Sequence, residues 1–424
     1  MRKTLAVIGF SLLVVLVIFP WQIQRLENGE LRQSRCGEKK QNLLISSKSQ
    51  PHQKSSQKQK LLPLVLIPRS PTITCCQPDS TCQDEQLWGQ QGDKQALLKA
   101  VDYSLHYLQT PEAVAAYKQY PVTGITRDRL FRSLKRFRQL LLKSKSSTEL
   151  QTAINREFIF YQSIGQDGKG NVLFTAYYEP LYAASRVPTA EYRYPLYRLP
   201  PDLASWSKPH PTREQLEGKD GLQGSKGRLR GLELFWLRDR LEAFDAQIEG
   251  SARLQLPDGK QTTVGYAGHT AYNYTSIGWE LAQDGKLPLA GMTMPKIEQY
   301  FQQHPQELNN YLPRNRSFVF FQENYGLPAM GNLNVPVTAE RSIATDKSLM
   351  PPGALALIRA SIPFVNSNRK MEYRIVSRYV LNQDTGGAIK GAGRVDYFLG
   401  TGKLAGDRAG VTVGNGQLYY LLLK

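Results

Sequence analysis

Between residues 94 and 161 the apolar positions recur at helical spacing. In KQALLKAVDYSLHYL, residues Leu97, Val101, Leu105 and Leu108 fall on one face. TRDRLFRSLKRFRQLLL repeats the pattern with Leu130, Leu134, Phe137 and Leu141, and sets Arg and Lys opposite. SSTELQTAINREFIFYQ opens on Ser146 with Glu149 three positions later, a capping-box pattern, and carries Leu150, Ile154, Phe158 and Tyr161 in phase. These are expected to be packing helices without chemistry. His106, on the first, reads as a surface or partly buried residue.

The period then shortens. SIGQDGKGNVLFTAYYEPLY holds a turn at Asp167–Gly168 and a strand-like run from Val172 to Tyr178, with Pro180 ending the ladder. ARLQLPDGKQTTVGYAG alternates on both sides of Asp258–Gly259, which predicts a hairpin. YNYTSIGWELAQDGKLP and MPKIEQYFQQHP predict short helices, the second with Pro295 at its start. NRSFVFFQEN, SRYVLNQ, RVDYFLG and QLYYLLL predict further strands.

At 424 residues the chain can hold two domains and a sizeable core, and 41% apolar content suits a folded protein. The net charge of +18 suits an acidic or polyanionic partner or a negative membrane surface. No RNP-type motif, C₂H₂ spacing or basic recognition helix supports nucleic acid. Much of the charge lies in the N-terminal third, where part of it reads as a solvated tail.

Arg2 and Lys3 precede an apolar run from Leu5 to Phe19, the pattern of an export signal over residues 1–22, either cleaved or kept as an anchor. Residues 23–88 are rich in Ser, Gln, Lys and Pro and read as a linker. All four cysteines, Cys36, Cys75, Cys76 and Cys82, fall in it, with no histidine at ligand spacing. Neither a metal nor a cofactor is expected.

The candidate chemistry sits near the C-terminus. LNQDTGGAIKGAGRVDYFLGTGKLAGDRAG sets Asp384 and Asp396 among glycines, and Asp346 precedes it between a β-like run and a Pro-Pro-Gly turn. Glycine allows backbone to approach a bulky substrate closely. Cleaving a glycosidic bond requires a carboxylic acid, and hydrolases normally add a second carboxylate. Asp396 lies in RVDYFLG, where desolvation would raise its pKa as a general acid requires; the alternative is a structural aspartate paired with Arg394 or Arg408. Asp384, before Thr385-Gly386, is more naturally a turn cap that supports the site. Tyr177, Tyr178 and Tyr182 suit stacking on sugar rings, or else fill a core. Glu179 is a site acid only if it faces the same cleft. One D-T-G triplet is too few for an aspartic protease, and neither G-x-S-x-G nor H-E-x-x-H occurs.

FTAYYEP, VGYAGHTAYNYTSIG, VPVTAERSIATD and QDTGGAIKGAGRVDYFLGTG together resemble the membrane-bound lytic murein transglycosylase A family over roughly residues 90–424. The resemblance implies a mainly β protein with N-terminal helices: a double-psi β-barrel split between residues 89–200 and 336–424, with a second β-rich domain inserted at 201–335. It implies a glycan groove between the two. Asp346, Asp384 and Asp396 fall on the family's three aspartates, Asp396 on the catalytic acid. Thr175, Tyr177, Tyr178, Glu179, Gly386, Gly387 and Lys390 are the candidate substrate-binding residues. The implied reaction breaks the link from N-acetylmuramic acid to N-acetylglucosamine in peptidoglycan and leaves a 1,6-anhydro end, so one carboxylate suffices. The implied location is the periplasmic side of the envelope, held at a membrane, with other cell-wall enzymes as conceivable partners. Two departures stand out: no lipid-attachment cysteine follows the apolar run, and Glu249-Gly250-Ser251-Ala252 stands where the family has Gln-Gly-Ser-Gly. The rival readings are a water-using hydrolase with Asp384 or Asp346 as second carboxylate, and a non-catalytic wall-binding module.

Overall fold

The alternating runs near the C-terminus do not form an open sheet; they close on themselves. The computed structural model describes residues 62–67 and 83–424. The Leu5–Phe19 run and all four cysteines lie outside the described residues, among which no helix is long and apolar enough to cross a membrane. The strands are β1 (Leu64–Ile67), β2 (Phe158–Ser163), β3 (Val172–Glu179), β4 (Leu181–Ser185), β5 (Tyr194–Tyr197), β6 (Glu233–Leu237), β7 (Ser251–Gln255), β8 (Gln261–His269), β9 (Val319–Glu323), β10 (Ser342–Ala344), β11 (Leu355–Val365), β12 (Met371–Asp384), β13 (Arg394–Thr401) and β14 (Val413–Leu423).

Six of them form a ring, β14–β11–β12–β10–β13–β3 and back to β14. Closure leaves the barrel without an unpaired edge. Two pairings in the ring are parallel, β10 with β12 and β13 with β3; the other four are antiparallel. β2 adds to the outer side of β14, and β1 to β2.

Helices spanning Lys94–Tyr107, Arg127–Lys143 and Ser147–Glu157 pack on this barrel and share its core. Leu97, Val101, Leu130, Leu134, Phe137, Leu141 and Ile154 are buried there, and Phe137 meets the Tyr379 ring of β12 at 5.2 Å between centroids. Each such side chain contributes about 1.5–3 kcal/mol of burial. Ser146 caps the third helix by accepting from Glu149 N, but Glu149 reaches back to Lys145 N, one residue beyond the expected reciprocal bond to Ser146 N.

β3 stops at Pro180, which cannot donate to the ladder. The chain crosses there into a second sheet, ordered β5–β6–β4–β7–β8–β9. This sheet therefore begins at Leu181, ahead of the expected boundary at residue 201. β7 and β8 form the hairpin about Asp258–Gly259. Leu196, Phe235, Leu237, Leu254, Val264 and Phe321 make a separate core, against which the Arg240–Glu249 helix buries Ala243 and Ala246.

The expected linker is not wholly without structure. The apolar run LVLI supplies β1, with Leu64 buried, and Asp84 is drawn into the barrel by an ion pair that composition could not foretell. Arg341 is fully buried and donates to both carboxyl oxygens of Asp84, to Asp93 Oδ2 at 2.7 Å and to Tyr379 O at 2.9 Å. Asp84 also accepts from Tyr379 N at 2.9 Å. Asp84→Ala would leave the buried Arg341 with Asp93 alone and the Tyr379 N–H without its acceptor, so it is expected to cost about 3 kcal/mol. A denaturant midpoint lowered by much less than this would mean that the segment contributes little to holding the barrel.

Candidate active site

Strand register brings the three aspartates together. Ala344 of β10 pairs with Asp384 of β12 on one side and with Asp396 of β13 on the other. Asp396 pairs in turn with Thr175 of β3. Asp384 and Asp396 thus sit level, two strands or roughly 10 Å apart at ~4.8 Å per strand. Asp346 lies just beyond the end of β10.

The three carboxyl groups live in different surroundings. Asp346 has both oxygens occupied: Oδ1 accepts from Ser348 N at 3.1 Å and Ser348 Oγ at 2.6 Å, and Oδ2 from Gly391 N at 2.8 Å. Burial pushes its pKa up, but these donors and the Lys390 charge outweigh it and hold the group below the usual aspartate value. Gly391 can donate there because it takes a left-handed φ of 84°. Asp384 is also fully engaged: Oδ1 accepts from Asn332 N at 2.9 Å and Thr385 N at 2.8 Å, and Oδ2 from Tyr177 Oη at 2.8 Å. Burial raises its pKa, with these donors and the Lys347 ammonium opposing. Burial in turn holds Lys347 down at about 8.

Asp396 differs. It is partly buried between Val395 and Tyr397, and among the described residues its carboxyl takes one hydrogen bond, from Thr175 Oγ1 to Oδ1 at 2.6 Å. Arg394 donates to Thr175 Oγ1 at 3.3 Å, and Arg408 is taken by Glu340 at 2.6 Å. Among the described residues no salt bridge reaches Asp396, so the structural pairing with Arg394 or Arg408 does not form. Desolvation pushes its pKa up to about 6, against the Thr175 bond and the Arg394 charge, while Asp384 raises it further. A carboxyl poised there can give a proton near neutrality and take it back.

The other expected residues divide. Thr175 touches Asp396 directly. Tyr177 donates to Asp384 and rests on Phe398, 5.1 Å between centroids and tilted by 45°, so it braces the site. The Tyr178 hydroxyl donates to Asp245 at 3.3 Å and its N–H to Glu249 at 3.1 Å. Glu179 is buried: Oε2 accepts from Thr401 Oγ1 at 2.8 Å and Arg253 Nε at 3.3 Å, tying the barrel to the second sheet. Gly386 and Gly387 form the loop after β12. A Cβ on Gly387 would lie 3.7 Å from Tyr274 Cβ, so the loop faces the second unit's Tyr274 at van der Waals distance. Lys390 is exposed and its charge reaches both Asp346 and His269. A depression of about 700 Å³ on the second unit, lined by Glu214, Lys219, Asp284, Lys286 and Arg314 among others, includes none of these residues.

Asp245, Glu249, Tyr274, Lys347 and Asn332 escaped the sequence reading as site residues. Only the Glu249 departure and the tyrosine-rich YNYTS hinted at them.

The site thus combines a closed barrel with a raised, sparsely bonded carboxyl, Asp396, and a second β-rich sheet beside it. The chain matches the models of the MltA specific insert domain over residues 173–322 and of the 3D domain over residues 341–422. It is 32% identical over 252 residues to membrane-bound lytic murein transglycosylase A of Escherichia coli K12, covering 59% of this chain and 65% of that relative. It is 30% identical over 262 residues to the Vibrio cholerae serotype O1 protein of the same name, covering 61% and 68%. The chain thus spans 65% of the length of the first of these relatives. Among solved structures, it resembles the membrane-bound lytic murein transglycosylase from Agrobacterium tumefaciens (26% identity, TM-score 0.61, 78% of this chain and 93% of that one). The fold also resembles E. coli MltA with bound chitohexaose (24% identity, TM-score 0.62, 88% and 99%). The chain belongs to the membrane-bound lytic murein transglycosylase A family.

The raised Asp396 makes a prediction independent of activity. An acid with a raised folded-state pKa holds its proton more tightly folded than unfolded. Stability is therefore lost as pH rises from about 4 to about 6, and above that window the penalty is complete. Asp396→Asn removes the penalty, so it should stabilise the fold by up to about 3 kcal/mol at pH ~8 and very little at pH ~4. Thermal melts at the two pH values would show it; equal effects at both would contradict the raised pKa.

Proposed function

We propose that this protein is a lytic transglycosylase that cleaves the β-1,4 link between N-acetylmuramic acid and N-acetylglucosamine in peptidoglycan. The observation that carries this reading is the inequality of the three aspartates: Asp396 has a free, poised oxygen, whereas Asp346 and Asp384 have both oxygens engaged by the protein. Protonated Asp396 donates to the glycosidic oxygen as the bond to the muramic sugar breaks. The C6 hydroxyl of that sugar attacks the oxocarbenium-like centre, and its proton passes to the Asp396 carboxylate. The acid is regenerated, no water enters, and the products are a free sugar hydroxyl and a 1,6-anhydro end. Asp384 braces the site as a turn cap and, through its charge, keeps Asp396 protonated longer. Asp346 fixes the loop at Gly391.

Family membership supports the substrate class, and the chitohexaose held by the E. coli relative supports a groove for N-acetylated sugar chains. The two parallel pairings in the ring support a double-psi barrel, with the insert lying against the loop of Gly386 and Gly387. The relatives' names support an envelope location, with the Leu5–Phe19 run as signal or anchor.

A water-using hydrolase needs a second, ionised carboxylate free to activate water, and both oxygens of Asp346 and of Asp384 already accept hydrogen bonds from the protein. Purified murein digested with the protein should yield anhydromuropeptides by mass spectrometry, lighter than reducing muropeptides by one water. Asp396→Asn should lower fragment release by roughly 10³-fold or more while the melt stays cooperative. Reducing ends would sink the transglycosylase reading, and wild-type release by Asp396→Asn would sink the assignment of the acid.

A further inference from the structure

Asp396 is not the only unusual carboxyl at this groove. The Arg240–Glu249 helix carries Asp245 and Glu249 one turn apart, on the side facing β3. Asp245 is buried and accepts from the Tyr182 hydroxyl at 2.6 Å and the Tyr178 hydroxyl at 3.3 Å. Glu249 is partly buried and accepts from Tyr178 N at 3.1 Å through Oε2. No hydrogen bond from a described residue reaches its Oε1, and no described cation forms a salt bridge with either acid.

Three features decide which acid keeps a proton. Two carboxylates one turn apart in a partly dry site cannot both ionise without a cation. Burial raises Asp245 as well, but it holds two phenolic donors that oppose the rise. Glu249 holds one backbone donor and is the last residue of its helix, where the negative end of the helix dipole disfavours a carboxylate. Burial, Asp245 and Asp396 together push Glu249 well above the usual range. It remains protonated where a general base must be ionised, so it is not the missing second carboxylate of a hydrolase.

Its position matters as much. Tyr178 follows Thr175 by three residues on β3, so Glu249 is anchored roughly 10 Å along the strand from the Asp396 level. Glu249 senses the charge of Asp396 on β13, and Tyr177 on β3 and Tyr274 opposite Gly387 are within electrostatic reach of Glu249. Glu242 on its own helix and Glu298 on the Met294–Gln303 helix sense Asp245. Glu249 is thus tethered to the strand that carries Thr175, partly exposed and within electrostatic reach of Asp396.

We propose that Glu249 is a second substrate-contacting group of this groove, donating a hydrogen bond from its otherwise free oxygen to an acceptor oxygen of the glycan next to the bond that Asp396 cleaves. This rests on the glycan-cleaving reading above. The acceptor is of carbonyl or hydroxyl type, as on an N-acetylated sugar. The role is a neutral donor's, and a side-chain amide would fill it equally.

The test is calorimetric binding of chitohexaose to the Asp396→Asn protein, which blocks turnover, from pH ~5 to ~9. Affinity should fall by about tenfold toward the alkaline end as Glu249 loses the donated proton. Adding Glu249→Gln should keep the low-pH affinity within about threefold and abolish the alkaline fall. Adding Glu249→Ala should weaken binding about tenfold at every pH. A purely structural role predicts no pH dependence that Gln removes. An alkaline fall that persists in Glu249→Gln, or a loss in Glu249→Gln equal to that in Glu249→Ala, would overturn the proposal. Binding by Asp396→Asn that ignores both Glu249 changes would overturn it while leaving the glycan reading intact. No binding by Asp396→Asn at all would overturn both.

Discussion

The parallel pairing of β13 with β3 is the constraint on which the rest of the site depends. Its register sets Asp396 opposite Thr175, and Thr175 then donates the one hydrogen bond that this carboxyl takes among the described residues. The same hydroxyl draws the Arg394 guanidinium onto itself. A cation sits close enough to temper Asp396 without neutralising it. A slip of one residue would turn Asp396 to the other face of the pleat, and the acid would be lost with no change in composition.

That pairing also explains why three aspartates in one barrel do three jobs. β10 is only three residues long, so strands bearing Asp384 and Asp396 lie to either side of Ala344, and the chain leaving β10 delivers Asp346 to the same end. What separates the three is donor supply. Loops rich in backbone N–H groups close over Asp346 and Asp384, while Asp396 emerges from the middle of a strand whose own N–H groups are spent on the ladder. A carboxyl on a loop finds donors easily; one on a barrel strand finds few and keeps its proton.

The legible parts of the chain were those where local chemistry and final position agree. The helical periods, the hairpin at Asp258–Gly259 and the strands of the C-terminal third could be read because side-chain spacing follows burial directly. Asp396 was legible because Val, Tyr and Phe around it announce a dry site. Less was legible where the partner is far away in sequence. Nothing near Asp84 announces Arg341, so its segment read as linker. Tyr177 and Glu179 read as groove residues, yet Tyr177 is held by Asp384 and Glu179 by Thr401 and Arg253, contacts that only closure of the barrel creates. Pro180 was read as a strand end, which it is; that the chain would cross there into a second sheet depends on what lies beyond.

The groove is therefore defined by carboxyl groups that differ in how much of their hydrogen-bonding capacity the protein has already used. Asp346 and Asp384 each accept three hydrogen bonds from the protein, spread over both oxygens. Asp396 keeps one oxygen free in a setting that balances its two protonation states near neutrality. Glu249, partly buried at a helix end beside Asp245, is pushed further toward the neutral form. The gradation needs no metal-like concentration of charge. It follows from where each acid falls on its element: after a strand, in a turn, in mid-strand and at a helix C-terminus. A glycan strand lying along β3 would meet first a carboxyl that exchanges protons and then one that only lends a hydrogen bond. That order is set by the three-residue step along β3 from Thr175 to Tyr178, which would tie proton transfer and glycan contact to a single strand.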